Sequence, residues 1–302
     1  MIRLKEAAMK RSMKWLAMVV VLGLAGLAVA ADADYVIQLN RPAKVGDECH
    51  LSAISKETTK DLTTVDGKAQ PDMVREQSIT LDGMVKVLEV DKNGKPSKVI
   101  VTVEKCLIRL GADETPLAKG TVITGAVKDE KCFYEVDGKP AEELNKVIGL
   151  AIPLVKGKAN ADDLFGTKDR KKVGDSWAIN TAMAVKEVEY AGIKASQDDF
   201  KGTVTVEKAV KVGDTECLQL KCEMSATNFN MTLPPNMKME KSSMSITVGG
   251  LYPVDTSKGP LESTGDRTIR VAIRGKPQAD GPEVTDEMTS TLSFKFTCTY
   301  PK

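Results

Sequence analysis

The 302-residue chain has one histidine, His50, and only 4% aromatic residues, and both scarcities exclude functions. A single imidazole rules out a multi-histidine metal centre, and any nucleophile–base relay would have to pass through His50. Few exposed rings argue against a sugar-binding platform or a stacking surface for single-stranded nucleic acid. With 43 Lys and Arg against 42 Asp and Glu, the chain also lacks the charge excess of a nucleic-acid binder. There is no Cys-x-x-Cys, Gly-rich phosphate loop, nucleophile elbow or His-Glu-x-x-His. The expectation is a protein that is not an enzyme, holds no cofactor and binds no nucleic acid.

What is present starts with an export signal. Arg3, Lys5, Lys10, Arg11 and Lys14 precede an apolar run from Trp15 to Ala30 that ends Ala28-Val29-Ala30, the layout of a secretory signal peptide cleaved before Ala31. The run is short of the roughly 20 residues a membrane helix needs, and no comparable stretch follows. The product is expected in the periplasm or outside the cell, not as an integral membrane protein. Cys49, Cys106, Cys132, Cys217, Cys222 and Cys298 all follow residue 30. An oxidising compartment permits disulfides among them, though six cysteines allow about 15 pairings and free thiols also serve as small core residues.

The dominant period is two. Leu292, Phe294, Phe296, Cys298 and Tyr300 alternate with polar residues, as do Leu218, Leu220, Cys222, Met224 and Ala226. This places Cys298 and Cys222 inward and Cys217 outward, so Cys217 and Cys222 do not bond to each other. Gly- and Asp-rich turns separate strands expected over 35–40, 47–56, 78–91, 97–110, 121–127, 131–137, 174–189, 201–211, 215–228, 241–250, 264–274 and 286–300. The first of three Lys-Val-Gly-Asp copies, at 44–47, 172–175 and 211–214, opens one half and the second opens a related half; the third is a turn. Trp177, just past the second copy, reads as core on a face shared with Ile179, Thr181 and Met183.

One segment, Pro140 to about Val155, has helical character, with Pro140 at its first position and an apolar stripe of Leu144, Val147, Ile148, Ala151 and Ile152. Such a helix closes a core; the sharper alternative makes Leu144, Val147, Ile148 and Ile152 the lid of an apolar pocket. A second short turn is expected over Asp162–Phe165, stopping at Gly166.

Other constellations read more plainly. Cys49 and His50 are strand neighbours and face opposite ways, so they do not form a catalytic pair. Met237, Met239 and Met244 are soft ligands that a Cu(I) ion would accept, but methionine near loops more often fills gaps. Asp162-Asp163 and Asp198-Asp199 are adjacent acids, which diverge and are expected to be solvated. Asn230-Met231-Thr232 fits the glycosylation pattern.

Lys172-Val173-Gly174-Asp175-Ser176-Trp177, lying between a helical segment and a sheet-rich second half, resembles uncharacterised secreted bacterial β-sheet proteins with a Val-Gly-Asp-Ser-Trp motif. Gly249–Gly259 looks like their hairpin. That resemblance implies fold and location only. A looser likeness to periplasmic lipoprotein-carrier half-barrels implies a curved sheet with helices over an apolar interior.

The chain is expected to be all-β with minor α: a signal peptide (1–30), a first β half (31–138), a helical linker (139–170) and a second β half (171–302). The two halves are antiparallel sheets or half-barrels. Its expected role is to bind an apolar small molecule, lipid or envelope protein without catalysis; the alternatives are an interaction module with filled sheets and an enzyme of unrecognised type.

Overall fold

The computed structural model describes residues 33–129, 131–154, 160–190, 192–278 and 280–301. The signal peptide expected over 1–30, its cleavage point before Ala31, and Val155 at the end of the expected helical segment lie outside the described residues.

The strands, in chain order, are β1 (Glu48–Val65), β2 (Lys68–Ala69), β3 (Met73–Val90), β4 (Pro96–Leu110), β5 (Asp113–Leu117), β6 (Val122–Lys128), β7 (Lys131–Val136) and β8 (Lys139–Pro140). They continue with β9 (Ser176–Ala178), β10 (Ile193–Lys194), β11 (Phe200–Val212), β12 (Thr215–Thr227), β13 (Asn230–Met231), β14 (Met237–Pro253), β15 (Glu262–Gly275) and β16 (Val284–Thr299). Among the described residues three α-helices accompany them, α1 (Asn145–Ala151), α2 (Ala161–Phe165) and α3 (Thr181–Tyr190), with 3₁₀ turns over Glu142–Leu144 and Gln197–Asp199. The all-β class read from the alternating pattern is the one observed.

Strands of both halves join in one 14-stranded antiparallel sheet, ordered β8-β7-β6-β4-β3-β1-β16-β15-β14-β12-β11-β9, with β2 beside β1 and β5 beside β4. β10 and β13 form a separate two-stranded sheet. The continuity comes from β16, which pairs with β1 from His50↔Thr299 to Val65↔Val284 and with β15 from Glu262↔Thr297 to Gly275↔Val284. The C-terminal strand therefore joins the two halves into one sheet. The N-terminal segment crosses the other way: Tyr35, Ile37 and Leu39, counted with the first half by sequence, pack on Val206, Leu218 and Leu220 of the second.

Alternation along each strand buries one face. In the first half Ala53, Leu81, Val101 and Ile123 meet Val147, Ile148 and Ala151 of α1. The sheet curls here, because α1 touches β1, β3 and β7 together. Burying a side chain such as Ile148, which is 0% exposed, stabilises the fold by about 2 kcal/mol. The carbonyls at the end of α1 find donors on the sheet: Ser55 Oγ donates to Leu150 O (2.8 Å) and Tyr134 Oη to Ile152 O (2.6 Å). Gly125 lies under the Tyr134 ring, where a Cβ would come within 2.9 Å of Cε1.

Four expectations need correction. The strand expected over 174–189 is three residues of β9 followed by α3. Asn180 starts that helix, its Oδ1 accepting from Met183 N at 3.2 Å, and Ala184, Val185 and Val188 supply the buried face. The alternation Trp177, Ile179, Thr181, Met183 thus ends at Ile179. Residues 35–40 form no strand beyond a Tyr35–Lys171 bridge, although their alternation holds, with Tyr35, Ile37 and Leu39 buried. Pro140 opens no helix: it pairs with Glu135 in β8, and a 3₁₀ turn over Glu142–Leu144 precedes α1. Cys217 faces away from Cys222, as alternation requires, yet is 0% exposed, because this end of β12 is covered on both faces. The short turn expected over 162–165 is α2, with Asn160 and Asp163 in a reciprocal capping box.

Candidate functional site

Both halves open with the same hook. Lys44 N donates to Asp47 Oδ2 (2.7 Å), Gly46 N to Val87 O (2.9 Å), and Val87 N to Asp47 O (2.9 Å). In the second half Lys172 N donates to Asp175 Oδ2 (2.8 Å), Gly174 N to Val206 O (2.8 Å), and Val206 N to Asp175 O (3.0 Å). Gly46 and Gly174 have φ of 93° and 91°, a left-handed backbone that costs glycine little. The registers that follow also match. Glu48↔Lys86, Cys49↔Val85 and His50↔Met84 correspond to Ser176↔Thr205, Trp177↔Val204 and Ala178↔Thr203. Cys49 thus occupies the place of Trp177, and Val85, Val87 and Val99 those of Val204, Val206 and Leu220. The third Lys-Val-Gly-Asp, at 211–214, is the β11–β12 hairpin turn.

The corresponding surfaces are covered differently. Over the second half, Tyr35, Ile37 and Leu39 lie against Val206 and Leu220, beside Trp177 and Phe165. Asp162 pins that segment, accepting from Leu39 N (2.6 Å) and Asn40 N (3.1 Å), so this acid is engaged rather than merely solvated. Trp177 Nε1 donates to Phe165 O at 2.8 Å and the half-buried ring packs into the core. Over the first half, Cys49, Val87 and Val99, the counterparts of Trp177, Val206 and Leu220, join Leu51 and Val85 in lining a cleft of about 540 Å³ instead.

The cleft has two apolar walls. One is the sheet, extended by Phe296 and Cys298 of β16; the other is Ala151–Leu154, the chain leaving α1. Ser55, Tyr134 and Cys132 fix that second wall through the carbonyls of Leu150, Ile152 and Leu154. Burial pushes the Tyr134 hydroxyl well above its ordinary pKa, which keeps it a neutral donor at any physiological pH. Leu261 and Tyr300 close one end, and the exposed Lys44, Asp47 and Glu48 stand at the solvent side. Arg41 holds the border between the halves: its Nη2 donates to Pro253 O (3.0 Å) and its Nη1 to Asp255 O (3.0 Å). A second hollow of about 310 Å³ adjoins at Pro96 and Pro153 and reaches Leu39, Leu164 and Phe165. A volume of this size, apolar inside and charged at the rim, fits one small apolar ligand.

Of the residues expected to lid a pocket, Ile152 lines the cleft, Val147 and Ile148 are fully buried in the core beneath it, and Leu144 packs at the core's edge. Met239 and Met244 pack in the second core and Met237 is half-buried at the start of β14; a bulge at Met239/Lys241 interrupts their alternation. Among the described residues no group of three or more His, Cys, Asp or Glu is placed to hold a metal. His50 faces away from Cys49, its Nε2 3.1 Å from Glu104 Oε2 on the outer surface. Asp199 accepts from Ser196 N (2.8 Å), and that bond holds its carboxyl below its usual pKa. Sequence reasoning offered the segment holding Ile152 as a pocket lid but not the other walls of the cleft, because β16, Ala151–Leu154 and Thr256–Ser263 converge on it from distant parts of the chain. The hook repeat was the available signal, since it identifies Cys49 as the counterpart of Trp177.

No protein-family model matches the sequence, and no curated protein matches it. Among solved structures, similarity extends to lipovitellin, described for its lipid–protein interactions (10% identity, 82% of this chain, TM-score 0.29). The chain spans about 25% of lipovitellin. It also extends to DynF of the dynemicin biosynthesis pathway of Micromonospora chersina (10% identity, 92% of this chain and 91% of that one, TM-score 0.18). A LolA superfamily protein from Nitrosomonas europaea is 8% identical over 87% of this chain and 91% of its own, with a TM-score of 0.15. Likenesses of this size carry no argument about what this chain binds.

Proposed function

We propose that the protein is an exported, non-catalytic binding protein that holds one apolar small molecule or lipid chain in the first-half cleft. The observation that carries this reading is the comparison of equivalent surfaces. In the second half the inner sheet face is covered by Tyr35, Ile37 and Leu39 of the chain itself; in the first half the same positions border about 540 Å³ of apolar hollow. A fold that encloses its core so thoroughly elsewhere has an apolar surface here to offer a ligand. The rigid second wall favours a preformed site, since Ser55 and Tyr134 tie Leu150 and Ile152 to the sheet.

Native mass spectrometry with palmitate as probe tests the proposal. The expected result is a one-to-one complex that dissociates on denaturation and is lost in Cys49→Trp, which puts into the cleft the side chain found at the equivalent second-half position. No complex with the wild-type chain, or equal binding by a folded Cys49→Trp variant, would refute the reading.

A further inference from the structure

Position separates one pair of cysteines from the rest. Cys106, Cys217 and Cys222 are buried, the last two on opposite faces of β12. Cys132 Sγ stands 3.1 Å from Leu154 O. Cys49 and Cys298 are both half-buried, both line the cleft, and their Sγ atoms are 3.3 Å apart. The β1–β16 register explains the meeting. Leu51 lies opposite Cys298, so Cys49 is a diagonal neighbour of Cys298 on the same face. Cys49 is the second residue of β1 and Cys298 the next to last of β16. Strand ends adjust at small cost, and closing to a bond of about 2.05 Å takes little more than 1 Å of approach.

We propose that Cys49 and Cys298 are a dithiol pair that a small-molecule disulfide such as oxidised glutathione converts to a disulfide, covalently tying the first long strand to the last at the wall of the cleft. The Cys298 thiolate attacks one glutathione sulfur, the glutathione S–S bond breaks, and one glutathione thiolate leaves. The Cys49 thiolate then attacks the Cys298 sulfur of the mixed disulfide and expels the second glutathione. The two cysteine protons end on the two glutathione thiolates, so two protein thiols are oxidised and one glutathione disulfide is reduced. Cys298 is the first nucleophile because the hydrogen bond from Cys49 lowers its pKa against the opposing effect of burial. The same bond, reinforced by burial, raises that of Cys49. The cross-link would close a loop with a sequence separation of 249, which constrains the unfolded chain and strengthens the joint on which both halves meet.

The test equilibrates the native protein with glutathione at increasingly oxidising ratios, blocks free thiols with N-ethylmaleimide, and maps the digest by mass spectrometry. The expected result is a joined Cys49–Cys298 peptide pair and two fewer maleimides per chain, reversed by reduction, with an oxidised form that melts higher than the reduced one. Cys298→Ser should give no intramolecular cross-link. If that variant does not fold, the wild-type map alone decides. Cys49 and Cys298 alkylated at every ratio, or Cys49 joined to another cysteine, would overturn the proposal. An unchanged melting temperature would overturn the strengthening of the joint.

Discussion

The first half enters its sheet through Lys44–Asp47 hooked to Val87, the second through Lys172–Asp175 hooked to Val206, and the strands after both hooks pair in one register. There the parallel stops. β1 continues for 18 residues and gains β16 as a second partner, while β9 ends after three at the edge of the sheet and the chain turns into α3. The second half's inner face is then covered by the N-terminal segment of the chain, which crosses over from the first half, and by Trp177; the first, with Cys49 in place of the tryptophan, keeps a cleft. In this fold an apolar hollow and a filled core differ by a strap of three apolar side chains and one ring, not by a change of framework.

The largest expected effect comes from opening the filled half. Ile37, 6% exposed among Val206, Leu218 and Leu220, should cost about 3 kcal/mol when replaced by Ala. Urea unfolding measures this, and a loss below about 1 kcal/mol would mean that the strap does not fill the second half. A smaller effect is expected at the seam between halves. The buried Glu57 carboxylate accepts from Lys146 Nζ (2.8 Å), Arg267 Nη2 (3.1 Å) and Gln77 Nε2. Burial alone would raise its pKa, but these partners together hold it below the ordinary value of 4.5. Its contribution is therefore complete above that value and is lost as pH falls through the lower folded-state value. Glu57→Ala should cost about 2 kcal/mol at neutral pH, since exposed Lys146 and part-exposed Arg267 recover hydration, and the gap from wild type should narrow as pH falls through that lowered value. A pH-independent gap would contradict this. The smallest effect tests the repeat itself: Gly46→Ala and Gly174→Ala each meet open space and differ from glycine only in backbone strain. Each should cost about 1 kcal/mol, and clearly unequal losses would break the equivalence of the hooks.

Much of the framework was legible in the sequence because strands with one buried face have period two. Leu218–Ala226 and Leu292–Cys298 read correctly for that reason, while the repeated Lys-Val-Gly-Asp marked the hooks and a short local turn pattern marked Asp162–Phe165. Local pattern failed where distant contacts decide. Trp177, Ile179, Thr181 and Met183 alternate by chance across a strand end and a helix start, while the signal of α3 lay in Asn180 and the face of Ala184, Val185 and Val188. The pairing of β16 with β1 joins residues more than 200 positions apart, which no short window contains. Both the cleft and the Cys49–Cys298 contact depend on that pairing. Leu144, Val147, Ile148 and Ile152 were legible as one apolar stripe, but which of them borders a hollow depends on how Tyr134 turns the chain at Ile152.

Photo-cross-linking with a diazirine-bearing fatty acid, mapped by tandem mass spectrometry, tests the central claim most directly. The account predicts saturable adducts on the cleft walls, at Val85, Val87, Ile152 and Phe296, with none on Val204, Val206 or Leu220. Adducts spread equally over both halves, or confined to the second, would contradict it.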